Sequence, residues 1–247
     1  MIVIPMAGLS SRFKKAGFDK PKYMLEARGQ TLFSHSVSSF EKYFEKEEFL
    51  FIVLDVHDTA KFVQKSATEL GISNFRIVVL DEPTRGQAET VYLGLKATPI
   101  EATTAITIFN IDTFRPGFSY PDSFNINDVD GYLETFIGTG ANWSNVLPIS
   151  KGSDKVIRTA EKQEISEFCC TGLYYFRKAE KFLQLFESFM GVEVQDLQGG
   201  EFYIAPMYNN LIEEGADIRF SIIDENDVIF CGVPDEYYAF IDGADVE

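Results

Sequence analysis

The first half of the chain switches repeatedly between two hydrophobic periods, and this restricts its fold more than any other feature. The runs IVIPMA (2–7), FLFIVLDVH (49–57), FRIVVLDE (75–82) and AITIFNID (105–112) are almost uniformly apolar. A strand of this kind has no polar face to turn to water, so each run predicts a strand covered on both sides. None reads as an edge. Between the second and third runs, Ala60, Val63, Ala67 and Leu70 recur at helical spacing, behind a capping Asp58 or Thr59 and before Gly71. Ala88, Val91, Tyr92 and Leu95 repeat that pattern after TRGQ. Strands joined by crossover helices build an α/β fold with helices flanking the sheet. The second half is β-rich, with GYLETFIG, WSNVLPIS, DKVIRTAEK and CCTGLYYF as strands, until helical spacing returns at Ile204, Met207, Tyr208, Leu211 and Ile212 before Gly215. The expected architecture is therefore a mixed, mostly parallel central sheet in one domain over 1–247. No repeat or low-complexity linker divides it.

Charge narrows the choice of partner. The chain carries a formal net charge of -16, yet residues 1–22 hold Arg12, Lys14, Lys15, Lys20 and Lys22 against a lone Asp19. An acidic protein of this kind has no broad basic stripe for a nucleic acid or an anionic membrane, so neither is expected as a partner. A local basic cluster suits a small anion instead. No apolar run reaches the ~20 residues of a membrane span, and the opening MIVIPMAG lacks a signal peptide's basic start, so a cytoplasmic location is expected. Cys169, Cys170 and Cys231 have neither metal-ligand spacing nor an even count, and read as reduced, buried thiols. The two histidines, His35 and His57, belong to no nucleophilic triad or zinc motif and read as structural.

The basic cluster follows the first strand directly, in AGLSSRFKKAGFDKPK (7–22). A strand that ends in a Gly/Ser turn and starts a helix offers backbone N–H groups and a positive helix end to phosphate. Gly8 lets the backbone approach closely, Ser10 and Ser11 add hydroxyls, Arg12 supplies a planar fork and Lys22 a compact charge. The stretch is neither a P-loop nor a GxGxxG fingerprint, and a strand, turn and helix with a solvated basic face is its plain alternative.

These residues resemble the sugar-1-phosphate nucleotidylyltransferases, the nucleoside-diphosphate-sugar pyrophosphorylases. Gly8-Leu9-Ser10-Ser11-Arg12 with Lys20-Pro21-Lys22 is similar to the family's GxG[ST]R…[KP]PK signature. RGQAETV (85–91) looks like its base-contacting loop, FNID (109–112) like its metal-binding strand end, and AEK (160–162) and TGLYYF (171–176) like its acceptor-binding segments. GEFYIAPMYNNLI (200–212) and GVPDEYYAF (232–240) match the later helix and the GTPEDL-like end. The resemblance thus covers nearly the whole chain in order. Two positions depart from it: Ser10 replaces the second glycine, and Phe230 stands where many members carry a second metal-binding aspartate, leaving Asp227, Asp224 and Glu201 as candidates.

The resemblance implies a Rossmann-like nucleotidyltransferase fold and transfer of a nucleoside monophosphate from an NTP to a sugar 1-phosphate, with release of pyrophosphate. It implies Mg²⁺ as cofactor and nucleotide-sugar supply for polysaccharide biosynthesis. Arg12 and Lys22 would be catalytic. Ala7, Gly8, Leu9, Ser10, Ser11, Gln87 and Asn110 would bind the nucleotide, Glu161, Lys162, Thr171 and Gly172 the acceptor, and Asp112 the metal. Read plainly, Gln87 is an exposed helix-cap residue, Asp112 a turn aspartate and Glu161 with Lys162 an exposed ion pair. An acceptor phosphate is already mostly dianionic at neutral pH, so positioning and charge neutralisation suffice without a side-chain nucleophile. Monomer and homodimer are both compatible, and no appended acyltransferase domain is expected. Three other readings compete: a cytidylyltransferase for phosphocholine, with Trp143, Tyr174 and Tyr175 as an aromatic box, or for another non-sugar phosphate; a nucleotide-sugar-dependent glycosyltransferase, although Asn110-Ile111-Asp112 is not DxD; and a non-catalytic nucleotide-binding scaffold.

Overall fold

The computed structural model describes residues 1–243. Strands β1 (Ile2–Met6), β4 (Phe49–Leu54), β5 (Phe75–Leu80) and β6 (Ile106–Phe109) form the parallel half of one mixed sheet in the order β6-β1-β4-β5. Their side chains alternate between two cores. Val3, Leu50 and Ile52 pack on one face with helices α4 (Gln87–Lys96), α5 (Ala179–Phe189) and α6 (Tyr208–Glu213), while Ile2, Ile4, Phe49, Phe51 and Val53 pack on the other with α2 (Leu32–Val37) and α3 (Thr59–Glu69). Both faces are buried, which is why these strands show no polar alternation.

The 75–82 run departs from expectation because β5 is an edge strand. Its residues are mostly half-buried, with Val79 46% exposed. Helices α3 and α4 pack beside it. Hydrophobicity reports face burial, not the presence of a second hydrogen-bonding neighbour. The capping role of Asp58 is likewise absent: this residue adopts a left-handed conformation (φ 55°) and its side chain makes no cap hydrogen bond.

The antiparallel half begins where β11 (Phe168–Phe176) pairs with β6, followed outward by β9 (Ser144–Pro148) and β10 (Val156–Glu161). Strand β8 (Gly131–Ile137) also pairs with β11, and β12 (Ile218–Ile223) extends it in parallel. Two small ribbons complete the sheets: β2 (Glu26–Ala27) with β3 (Gln30–Thr31), and β7 (Thr113–Phe114) with β13 (Ile229–Phe230).

A third apolar cluster fastens the ends of the chain together. Phe13 of α1 (Ser11–Lys15) packs edge-on against Phe18 and against Tyr237 of α7 (Pro234–Asp242), with Phe114, Cys231 and Phe240 beside them. A five-residue helix is far below the ~12–15 residues that hold in isolation. Burial of Phe13 contributes about 2 kcal/mol toward keeping it. Tyr237 donates its hydroxyl to the Glu26 carbonyl and Arg28 donates to that of Phe240, so the last helix closes onto the first loops. All three cysteines are free and buried, and His35 donates to the Ala27 carbonyl in a structural contact.

One ion pair lies deep under the antiparallel half. Arg115 spans both oxygens of Glu134 at 3.2 Å, Thr171 donates to the same carboxylate, and Glu134 is 1% exposed. Burial, before all else, holds Glu134 above the usual carboxylate range, and Arg115 opposes that shift. Arg115→Ala should therefore cost about 3 kcal/mol at neutral pH, since it strands a buried charge. A carboxyl whose folded pKa is raised loses stability as pH climbs through that value, so the deficit should shrink toward about pH 5. Denaturant unfolding at the two pH values checks this; an equal deficit at both would contradict it.

Candidate active site

In the order β6-β1-β4-β5, the chain runs from β1 to one side through β4 and β5, then returns to β1's other side with β6. The crevice at the carboxyl ends of β1 and β6 is thus the switch point, where open α/β sheets bind ligands. A cavity of about 560 Å³ lies there. The loop Ala7–Leu9, Ser11 and Lys22 form one side, Pro83–Gln87 at the start of α4 another, and Gly200 and Glu201 a third. A second cavity of about 450 Å³ lies under β9, β10 and β11, lined among others by Trp143, Glu161, Lys162, Thr171, Gly172, Tyr203 and Phe230. The two share Gln87, Asn110 and Asp112.

At that junction the Lys22 ammonium meets Asp112 Oδ2 at 2.5 Å. Both side chains are about one-fifth exposed, so the pair is neither sealed in the core nor fully solvated. Its support starts at Ser10. This residue adopts φ 51° and ψ 37°, a left-handed conformation that costs a non-glycine residue about 1 kcal/mol. Its hydroxyl accepts the Lys22 backbone N–H at 3.2 Å, a tie that glycine lacks. Asp112 is held by its main chain, whose carbonyl accepts from Cys231 N–H at 2.8 Å. Gly232 follows, where a Cβ would come within 3.0 Å of Asp112 Oδ2.

The wall at residues 83–87 closes through its backbone. Gly86 has φ 146°, and a Cβ there would meet the Phe202 backbone nitrogen at 2.5 Å. Phe202 N–H donates to Arg85, and Ala88 N–H donates back to the Phe202 carbonyl. The Arg85 guanidinium sits 4.8 Å over the Phe202 ring and pairs with Glu89. Gln87 donates its amide to Asn110 Oδ1 at 2.5 Å. Asn110 in turn lies against Gly172, whose φ of 94° and missing Cβ admit it. A register shift in β11 between Cys170 and Tyr174 produces that approach, a bulge of the kind that re-aims side chains at sites.

In the second cavity, Glu161 is only 5% exposed and accepts from the Ser144 hydroxyl, while Gln198 accepts its backbone N–H. Burial raises its pKa foremost. Lys162 donates to the Tyr203 hydroxyl at 2.6 Å and lies 4.7 Å over that ring; the same hydrogen bond raises its pKa. The plain reading of residues 161 and 162 as an exposed ion pair therefore fails.

No protein-family model matches the chain, and no curated protein does. Among solved structures, a nucleoside-diphosphate-sugar pyrophosphorylase from Vibrio cholerae RC9 is 54% identical, with 98% of this chain and 100% of that one covered and a TM-score of 0.92. The chain belongs to this pyrophosphorylase family. The enzyme is a nucleotidyltransferase. Its fold is shared more distantly by an inositol-1-phosphate CTP transferase from T. maritima (16% identity, 98% and 94% covered, TM-score 0.74). A UTP-bound UGPase from Acinetobacter baumannii has it too (13% identity, 98% and 92% covered, TM-score 0.70).

The residues named from the sequence distribute unevenly over the enzyme's two cavities. Ala7, Gly8, Leu9, Ser11 and Lys22 line the first, Glu161, Lys162, Thr171 and Gly172 the second, and Gln87, Asn110 and Asp112 both. Arg12 lines the second cavity, and Ser10 acts behind the wall. Tyr175 belongs to the core on the far face, against Tyr120, so the box of Trp143, Tyr174 and Tyr175 does not form. Asp224 caps a 3₁₀ turn with its carboxylate, and neither it nor Asp227 lines either of these two cavities. Glu236 went unnoticed in the sequence: it lines the second cavity, accepting the Gly232 and Val233 N–H groups at 2.7 and 3.1 Å. The signal that marks it is a glutamate at the third helical position behind Pro234, placed to reach back to the N-cap backbone N–H.

Gly86→Ala should raise the NTP dissociation constant at least about tenfold by pushing the 83–87 wall off Phe202, since alanine fits neither the space nor the positive φ. Equilibrium dialysis against each labelled NTP checks this; unchanged affinity would show that the wall does not touch nucleotide.

Proposed function

We propose that the enzyme joins the nucleoside monophosphate of an NTP to a sugar 1-phosphate, releasing pyrophosphate, with NTP in the first cavity and acceptor in the second. The observation that carries this reading is the Lys22–Asp112 pair at the junction of the two. Loop amides from Ala7 to Ser11 face the triphosphate, and Gln87, anchored on Asn110, faces the base. An oxygen of the acceptor phosphate attacks the α-phosphorus, the bond from that phosphorus to the bridging oxygen of the leaving group breaks, and pyrophosphate departs with the electron pair. Proton transfer is not needed because the acceptor oxygen is already ionised. Lys22 supplies positive charge where negative charge is shared between incoming and departing oxygens. Arg12, from the second cavity, neutralises the acceptor phosphate.

The residues present fit Mg²⁺. Among the described residues, no group of three or more His, Cys, Asp or Glu side chains forms a protein-only metal cage. Mg²⁺ uses one or two carboxylates together with substrate phosphates, and Asp112, which lines both cavities, would supply the carboxylate. When bound there, the ion would offset phosphate charge. Product nucleotide sugars would feed glycosyl transfer into polysaccharide. Among the described residues no helix is long and apolar enough to cross a membrane.

Lys22→Ala should lower kcat by about 10²- to 10³-fold, the cost of deleting one charge-stabilising group, while the fold stays intact. Asp112→Asn should abolish both activity and its dependence on Mg²⁺. Pyrophosphate release against Mg²⁺ concentration checks both; parent-like turnover in either variant would remove that residue from the reaction.

A further inference from the structure

Glu161 ends strand β10, which is the last strand in the order β10-β9-β11, and Lys162 follows it. An edge strand leaves main-chain N–H and C=O groups open. Side chains from a later stretch take them here. Asn209 accepts the Thr159 N–H at 2.8 Å and donates to the Thr159 carbonyl at 3.0 Å, and Gln198 accepts the Glu161 N–H at 3.0 Å. The cavity end of β10 is therefore held from outside, by residues 198–209.

Lys162 carries a further constraint. Its φ is 53°, in the left-handed region that costs a residue with a Cβ about 1 kcal/mol. Such a conformation persists only where the surroundings over-determine it. The Lys162 backbone N–H donates to the Trp143 carbonyl at 3.0 Å, and its ammonium donates to the Tyr203 hydroxyl at 2.6 Å while standing 4.7 Å from that ring's centre. Among the described residues, Tyr203 is the one hydrogen-bond partner of this ammonium. The same bond raises the Lys162 pKa.

Tyr203 reaches Lys162 because position 199 is glycine. Gly199 turns with φ 76°, and a Cβ there would meet the Tyr203 ring at 2.9 Å and Glu161 Cγ at 3.0 Å. The preceding residues rest on the first cavity: Phe202 exchanges main-chain hydrogen bonds with Arg85 and Ala88, and Gly200 and Glu201 line that cavity. Tyr203 is thus fixed by its neighbours before it meets Lys162.

We infer that Tyr203 is a positioning residue, which holds the Lys162 ammonium at the acceptor cavity against the freedom of its four-carbon stem. Lys162 lines the second cavity and not the first, so its placement governs acceptor binding rather than the charge shared at the transferring phosphoryl. This rests on the nucleotidyl-transfer reading given above.

The intact enzyme with Mg²⁺ is assayed for pyrophosphate release with each NTP against glucose 1-phosphate, mannose 1-phosphate and inositol 1-phosphate, and the most active pair is carried into a double-mutant cycle. Tyr203→Phe, which keeps the ring and removes the hydroxyl, should raise the acceptor KM about threefold to tenfold, with kcat and the NTP KM changed less than about twofold. Gly199→Ala should raise the acceptor KM in the same way by displacing that ring. In a Lys162→Ala background, Tyr203→Phe should add nothing, since it acts through Lys162. An unchanged acceptor KM in Tyr203→Phe, an equal rise in the NTP KM, or the full effect persisting without Lys162 would overturn the inference. A second readout needs no acceptor: acylation of Lys162 by acetic anhydride in the free enzyme, followed by peptide mass analysis, should run about threefold faster in Tyr203→Phe. An unchanged acylation rate would overturn the Tyr203 hold whether or not transfer occurs. Faster acylation with no pyrophosphate release from any pair would instead leave the hold standing and remove the transfer reading.

Discussion

The ion pair between Lys22 and Asp112 is the contact on which the arrangement of this enzyme depends. Its partners come from different parts of the chain: Asp112 from the turn just after the buried strand β6, Lys22 from the start of a single 3₁₀ turn, Lys22–Met24. Each end is therefore pinned by something else. Ser10 holds the Lys22 backbone from inside a strained turn, and Cys231 with the β7–β13 ribbon holds Asp112. Phe13 and Tyr237 join those two supports through one apolar cluster. The opening loop and the last helix thus converge on two charges 2.5 Å apart.

Half-burial suits a pair with this position. Sealed in the core, it would pay a desolvation penalty that its attraction barely offsets. Fully exposed, it would be screened and worth little. At about one-fifth exposure it neutralises itself while free and leaves both groups within reach of an incoming phosphate. The glycines around it serve the same end. Gly86, Gly172 and Gly232 each remove a Cβ that would strike Phe202, Asn110 or Asp112, and so let backbone rather than side chain form the cavity walls.

Much of this was legible in the sequence, for identifiable reasons. The uniformly apolar strands and the 88–95 helix face follow from burial alone, and burial is what hydrophobic periodicity records. The edge position of 75–80 is not, because its apolar side chains still pack beside α3 and α4, and hydrophobicity does not record the missing strand neighbour. The left-handed Ser10 shows in the sequence only as a serine where the resembling pattern has glycine. Glu161 reads as a surface residue until the cavity beneath β10 is known. The Lys162–Tyr203 pair joins segments far apart in sequence, and no local pattern encodes such a contact.

The most direct test of nucleotidyl transfer follows the label of each NTP carrying ³²P at either the α or the γ position, with Mg²⁺ and a ring phosphate acceptor. Transfer at the Lys22–Asp112 junction predicts α-label in a nucleotide sugar or cyclitol and γ-label in pyrophosphate. Label from the γ position on the acceptor, or in free orthophosphate with no nucleotide adduct, would contradict it.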